Sequence, residues 1–270
     1  MHRLFVFITL LTWLVSPALF AHQLDGNTNT AHYLGNEAVL IISDEQKVLF
    51  DPFFHKDFGF YQKVPPAFRK AIFKGEAPYD NIDVIVISHA HDDHFSATDV
   101  LRYLQSKKEV QLVAPQQAID ALLALDTSEG VEGRFHPVQL DFGQQPTALS
   151  VANVDIEAVR IPHAGWPGRA EVQNMVYRLT FENGATVMHM GDADPDTDHY
   201  LPFNAFWDIK PTNIGFPPYW FLQSAEGNYI LKDVIHVEHS VGVHVPVKVP
   251  NLLIKSGEDF FSSPGETRHF

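Results

Sequence analysis

The residues best suited to chemistry crowd into one short stretch, Ser88-His89-Ala90-His91-Asp92-Asp93-His94, with the pattern His-x-His-x-Asp-His. Imidazoles this close repel one another when protonated, and a bound metal ion is what keeps such a group neutral. His89 and His91, on alternate residues, can reach one ion from one side of an extended segment, while Asp93 and His94 lie where the chain turns toward a second. Either ion would still lack ligands. Further donors come later, each at the end of a strand-like run: His163 after VDIEAVRIP, Asp192 after ATVMHMG and His244 after SVGV. The chain has 15 histidines and no cysteine, so disulfides, thiolate catalysis and Cys-ligated zinc or iron–sulfur sites are excluded.

The elements that must position these donors alternate along the chain. Glu37 to Ser43 and Gln46 to Asp51 are apolar, β-branched runs around a polar Asp44-Glu45 turn, which predicts a hairpin. A helix is expected over Pro65 to Phe73. Ile82 to Ile87 is a continuous apolar run of the kind found in a strand covered on both faces, and it leads straight into the histidine motif. Helices follow at Ala97 to Gln105 and Gln116 to Leu125, around a strand at Val110 to Val113. Later strands are expected at Asp155 to Ile161, Asn174 to Phe181, Thr186 to Met190 and His239 to Val243, with Asn183-Gly184 a hairpin turn between the middle two. This mixture predicts an α/β fold, a four-layer αββα sandwich of two mixed sheets flanked by helices.

Composition bounds the partners. The 270 residues are 45% hydrophobic and 19% charged, and no linker divides them, so one domain is expected over residues 22–270. A net charge of −14, from 19 Lys+Arg against 33 Asp+Glu, disfavours binding to a phosphate backbone; the expected partner is a small-molecule substrate and not nucleic acid. Residues 1–21 have Arg3, an apolar run from Leu4 to Val15, a break at Ser16-Pro17, then Ala18 and Ala21, the layout of a secretory signal peptide. That run is too short to span a bilayer. An exported protein, periplasmic or secreted and without a membrane span after cleavage, is expected.

With these residues in place, the chain resembles the metallo-β-lactamase fold superfamily of metal-dependent hydrolases, particularly its lactonase-like and phosphodiesterase-like branch. The resemblance runs from HYLGNEAVLIISDEQKVLFDPFF through SHAHDDH, PHAG, MGDAD and VGVHVP. It implies that His89, His91 and His163 hold one metal, that Asp93, His94 and His244 hold another, and that Asp192 bridges them. Asp51 resembles a residue that supports a ligand from behind, although an Asp before Pro is also an ordinary turn-former. Two divalent ions, zinc by preference with manganese or iron as alternatives, would lower the pKa of a bridging water and polarise a carbonyl or phosphoryl oxygen. The expected function is hydrolysis of a small-molecule or lipid-like ester, lactone or phosphodiester, with Asp93 and Asp192 central to catalysis. The alternatives are a β-lactamase, a non-catalytic periplasmic metal-binding protein and di-iron redox chemistry.

Other segments have plainer readings. Seven aromatic residues between Pro52 and Phe73 (Phe53, Phe54, Phe58, Phe60, Tyr61, Phe68 and Phe73) pack beneath a loop or wall a pocket; Trp166 and the run Phe216 to Trp220 could extend that wall, and Tyr219 could serve a leaving group. His55, His199, His236 and His239 are expected at surface or structural positions, and Asp194, Asp196 and Asp198 in a solvated loop. Among the C-terminal histidines, His244 follows a strand in which Val241, Val243, Val245 and Val247 are expected to be buried. His239 is placed at the strand's opposite end, away from the site.

Overall fold

The computed structural model describes residues 29–125 and 130–270. The expected leader lies outside them. The first half runs β1 (Thr30–Gly35), β2 (Ala38–Ser43), β3 (Gln46–Phe50), α1 (Pro66–Lys74), β4 (Val84–Val86), α2 (Ala97–Ser106), β5 (Gln111–Pro115), α3 (Gln116–Leu123) and β6 (Phe135–Val138). The second runs β7 (Thr147–Val151), β8 (Val154–Arg160), β9 (Met175–Thr180), β10 (Thr186–His189), α4 (Asn204–Trp207), β11 (Thr212–Phe216), α5 (Ala225–Tyr229), β12 (Val237–Gly242), α6 (Asn251–Ser256), β13 (Asp259–Phe260) and β14 (Thr267–His269).

Alternation in the strands explains the layering. In β2, Val39 and Ile41 face the cluster between the two sheets, while Ala38 and Leu40 face the cluster under the helices. In the Ile82 to Ile87 run, Val84 and Val86 join the inner cluster, and Ile85 and Ile87 join the outer one with Val100 and Leu104 of α2. The second sheet does the same: Tyr177 and Val187 point inward, whereas Val176 and Met188 pack with Tyr200, Trp207 and Leu231 on its outer face. Three apolar interfaces therefore separate four layers, the αββα sandwich.

The sheets have strand orders β14-β1-β2-β3-β4-β5-β6 and β13-β12-β11-β10-β9-β8-β7. Each begins antiparallel (β1 to β3, β7 to β10) and continues parallel (β3 to β6, β10 to β13), and β14 lies antiparallel on β1. The C-terminal ends of β1, β3 and β4 thus share one edge of the first sheet. Those of β8, β10 and β12 share one edge of the second.

Sequence patterning places the long apolar strands and misses the short or interrupted ones. β6 contains Pro137, β11 contains Gly215, and β1, β7, β13 and β14 have too few consecutive apolar residues to stand out. The run Ile82 to Ile87 yields only Val84–Val86 as strand, because the chain enters and leaves the sheet within it. The last expected strand begins earlier, at Val237, so His239 is internal to it, and it ends at Gly242. Val247 is 60% exposed and not buried, because His244 takes a left-handed backbone (φ 57°) that breaks the alternation.

Candidate metal centre

Six short segments deliver the site, all from the shared strand ends. His89 to His94 follow β4, His163 follows β8, Asp192 follows β10 and His244 follows β12. Asp51 follows β3, and Asn36 turns β1 into β2. Asn36 ties two of them together, since its Nδ2 donates to the Asp93 carbonyl (3.0 Å) and its own carbonyl accepts from the His244 amide (2.9 Å). Asn174 does likewise in the second sheet: its Oδ1 accepts from the Asp192 amide (3.0 Å), and its Nδ2 donates to the Ile161 and Met190 carbonyls. Gly191 must be glycine, because at φ +54° a Cβ would lie 2.4 Å from Asn174 Oδ1 and 2.8 Å from Ser88 Cβ.

Two donor clusters result, His89/His91/His163/Asp192 and Asp93/His94/Asp192/His244. In the first, His91 Nδ1 is 3.1 Å from both His89 Nε2 and His163 Nε2, and Asp192 Oδ2 is 3.2 Å from His163 Nε2. In the second, Asp192 Oδ1 lies 3.4 Å from His94 Nε2 and 3.2 Å from His244 Nε2, with Asp93 Oδ2 at 3.6 and 3.4 Å from the same nitrogens. The two oxygens of Asp192 thus face different clusters.

Behind the first row, other groups fix the ring nitrogens. Asp51 accepts from the Ser88 amide (2.8 Å), from the Ser88 hydroxyl and from His94 Nδ1 (3.0 Å). The Ser88 hydroxyl in turn takes the proton of His89 Nδ1 (3.0 Å), and the Ala164 carbonyl takes that of His163 Nδ1 (2.8 Å). With Nδ1 donating rearward, Nε2 of His89, His94 and His163 faces the centre. The buried atoms His94 Nε2, His244 Nε2 and Asp192 Oδ1 have no hydrogen-bond partner among the described residues. Leaving such groups unsatisfied is costly, and divalent cations fit this N/O donor set.

The two clusters differ in charge. Burial, then the neighbouring His94 and His163, push His89 well below the ordinary imidazole value, and burial with His163 lowers His91. Burial also opposes the proton on His94, yet Asp192, Asp51 and Asp93 outweigh it and hold His94 well above the ordinary value. Burial works against ionised Asp93, but His244 and His94 keep its carboxyl low. Asp192 is likewise held well down, with His244 and His94 overcoming its burial. Glu37, fully buried behind His94, has neither carboxylate oxygen hydrogen-bonded, and its burial raises its pKa well above the usual carboxylate range. His189 spans the sheets there, donating from Nε2 to the Glu37 carbonyl (2.9 Å) and accepting at Nδ1 from the Gly191 amide (3.3 Å).

A cavity of about 740 Å³ opens over the centre, lined by His91, Asp93, Asp192 and His244, by Phe58, Phe60 and Tyr61, and by Arg169 and Glu171. The aromatic run therefore divides: Phe53 and Phe54 are core, whereas Phe58, Phe60 and Tyr61 face the cavity. Neither Trp166 nor Tyr219 is among its lining residues. Trp166 stacks on Phe142 (4.7 Å), and Tyr219 packs on Trp220 (5.5 Å). His55, His236 and His239 pair with Asp99, Asp208 and Asp259, outside the centre. Asn36, Asn174, Glu37, His189 and Arg169 escape sequence reasoning, because each is a lone residue in a turn, strand or loop with no spacing that marks it.

A family model described as a beta-lactamase superfamily domain matches residues 30–206. Among curated proteins, none matches significantly by sequence. Solved structures are similar in fold. The metallo-beta-lactamase fold protein YhfI from Bacillus subtilis aligns with TM-score 0.61 and 14% identity over 90% of this chain and 100% of its own. A possible metal-dependent hydrolase from Veillonella parvula gives 0.60 and 15% over 90% and 99%. The metallo hydrolase Igni18 from Ignicoccus hospitalis gives 0.57 and 17% over 90% and 98%.

Proposed function

The chain belongs to the beta-lactamase superfamily, and from that premise we propose that it is an exported, two-ion metal-dependent hydrolase of a small-molecule or lipid-like ester, lactone or phosphodiester. The observation that carries this reading is the division of Asp192 between two donor clusters, with buried nitrogens and oxygens left unpartnered at its centre. His89, His91 and His163 would hold one ion, Asp93, His94 and His244 the other, and Asp192 both. Divalent ions there, zinc by preference, would bring water into its reactive range near neutral pH and draw electron density from the scissile carbonyl or phosphoryl group.

The chain's own residues do the rest. Ser88, Asp51 and the Ala164 carbonyl hold the imidazoles in the tautomer that presents Nε2 inward. Phe58, Phe60 and Tyr61 give the cavity an apolar wall that suits an acyl or aryl group and sheds water from it. Arg169, which also lines the cavity, offers a guanidinium to an oxygen of the substrate. Burial, then Asp192, raises the pKa of the Tyr61 phenol, so Tyr61 stays protonated and can offer a hydrogen bond, not its proton, to an oxygen of the substrate. The leader-like segment over residues 1–21 supports export.

The test is elemental analysis of zinc-reconstituted protein together with a panel of aryl esters, lactones, phosphodiesters and β-lactams. At least two equivalents of metal, two of them lost when the central donors are removed, and chelator-sensitive hydrolysis of one of the first three classes are expected. No more than one equivalent, or no hydrolysis, overturns the reading, and turnover of β-lactams alone replaces it with the β-lactamase alternative. Mass spectrometry should find a mature N-terminus after Ala18 or Ala21; an intact Met1 form in the cytoplasm refutes export.

A further inference from the structure

A second group of donors lies outside the main centre, in the loop that follows Asp192. Side-chain atoms of Asp194, Asp196 and His199 all fall within 4.8 Å of one another. We propose that these three residues form an additional site for a divalent transition-metal ion, separate from the two-ion centre.

His199 makes this more than an acidic cluster. The residue is only 9% exposed, and its Nε2 has no hydrogen-bond partner. Its ring is held edge-on by Phe142 and Trp166 (both 5.8 Å between centroids, at 79° and 80°), and its Nε2 lies 3.8 Å from Asp194 Oδ1. That gap is too long for a hydrogen bond. It suits two atoms sharing an ion, since donors each roughly 2.0–2.2 Å from a metal lie at most about 4.4 Å apart.

The carboxylates are already oriented. Asp194 Oδ1 accepts from the Asp196 amide (3.2 Å) and Oδ2 from the Gly165 amide (3.2 Å), while Asp196 Oδ1 accepts from the Asp198 amide (3.0 Å). Among the described residues no lysine or arginine pairs with Asp194 or Asp196, so no side-chain cation competes for them. One imidazole with two carboxylates is a donor set for zinc or manganese; calcium and magnesium prefer oxygen alone. Because Gly165 donates to Asp194, an ion here would tie the loop carrying His163 and Arg169 to the loop carrying Asp192. It would thereby stiffen one wall of the cavity.

The experiment is zinc stoichiometry by elemental analysis of full-length protein that has been stripped with a chelator and dialysed against zinc. His199→Gln and Asp196→Asn should each hold one equivalent fewer than the unaltered protein. Asp93→Ala should lower the count independently, so that the Asp93→Ala/Asp196→Asn double variant loses both increments. Failure of the two-ion reading changes the total but not the difference caused by Asp196→Asn. Asp196 is exposed, so its variant remains decisive if circular dichroism shows that His199→Gln is unfolded. Equal zinc in the unaltered protein and the folded variants overturns the proposal and leaves His199 and Asp194 as a structural contact within the loop.

Discussion

In the half of the centre built from His89, His91 and His163, nitrogen crowds nitrogen at 3.1 Å and the groups behind are neutral, the Ser88 hydroxyl and the Ala164 carbonyl. In the half built from Asp93, His94 and His244, the Asp93 carboxylate faces imidazoles at 3.4 and 3.6 Å, and Asp51 backs His94 at 3.0 Å with Glu37 beyond it at 3.8 Å. The shared edge of the two sheets thus places His89 and His91 where a proton is disfavoured and His94 where one is held. The second should also attract a cation more strongly, because more negative charge converges on it.

The sharpest way to break this comparison is to remove one donor from each half. His91→Ala and Asp93→Ala should each cost several kcal/mol of transition-state stabilisation, about 10²- to 10³-fold in kcat/KM. Each should lose a different ion while circular dichroism stays native, since the three apolar clusters that carry the fold are untouched. Unchanged turnover in either variant would sink the proposed mechanism.

A smaller effect should be confined to one half. Asp51→Asn keeps the shape but removes the charge behind His94, and metal affinity should fall about 10- to 100-fold. Competition titrations should show that loss at only one of two sites. Equal weakening of both would mean that Asp51 acts through the Ser88 contacts it shares with His89.

In chelated protein the halves should separate by pH. His89 is held below its unfolded value, so its contribution to stability is present above about 6.5 and is lost as pH falls from there. His94 is held above it; its contribution is complete below about 6.5 and is lost as pH rises toward the folded value. Each slope is limited to about 1.4 kcal/mol per pH unit per group. Urea unfolding should therefore show His94→Gln flattening the alkaline limb and His89→Gln the acid limb; the opposite assignment would reverse the comparison.

The smallest effect is the control. His239 pairs with Asp259 at 3.0 Å but is 42% exposed, so His239→Ala should change stability by less than about 1 kcal/mol and leave turnover alone. His244→Ala, by contrast, should empty the Asp93 half and collapse activity. If His239→Ala collapsed turnover while His244→Ala did not, the proposed ligand assignment would be wrong.

What was legible in the sequence was whatever neighbours along the chain decide. Continuous apolar runs such as Glu37 to Ser43 and Ile82 to Ile87 announce buried strands, and the fold class follows. His-x-His-x-Asp-His is equally local, since four donors within six residues need no tertiary information to suggest an ion. His163, Asp192 and His244 could be nominated because each ends a strand-like run. Their convergence depends on β8, β10 and β12 pointing the same way, which strand pairing decides. Tertiary structure alone divided the aromatic run between core and cavity, chose Tyr61 over Tyr219 to face the centre, and brought His189 to a Glu37 carbonyl 152 residues away. It also set the difference between the halves, because a pKa depends on burial and on charges a few ångströms away in space. Sequence spacing does not encode those distances until both sheets have closed on one another.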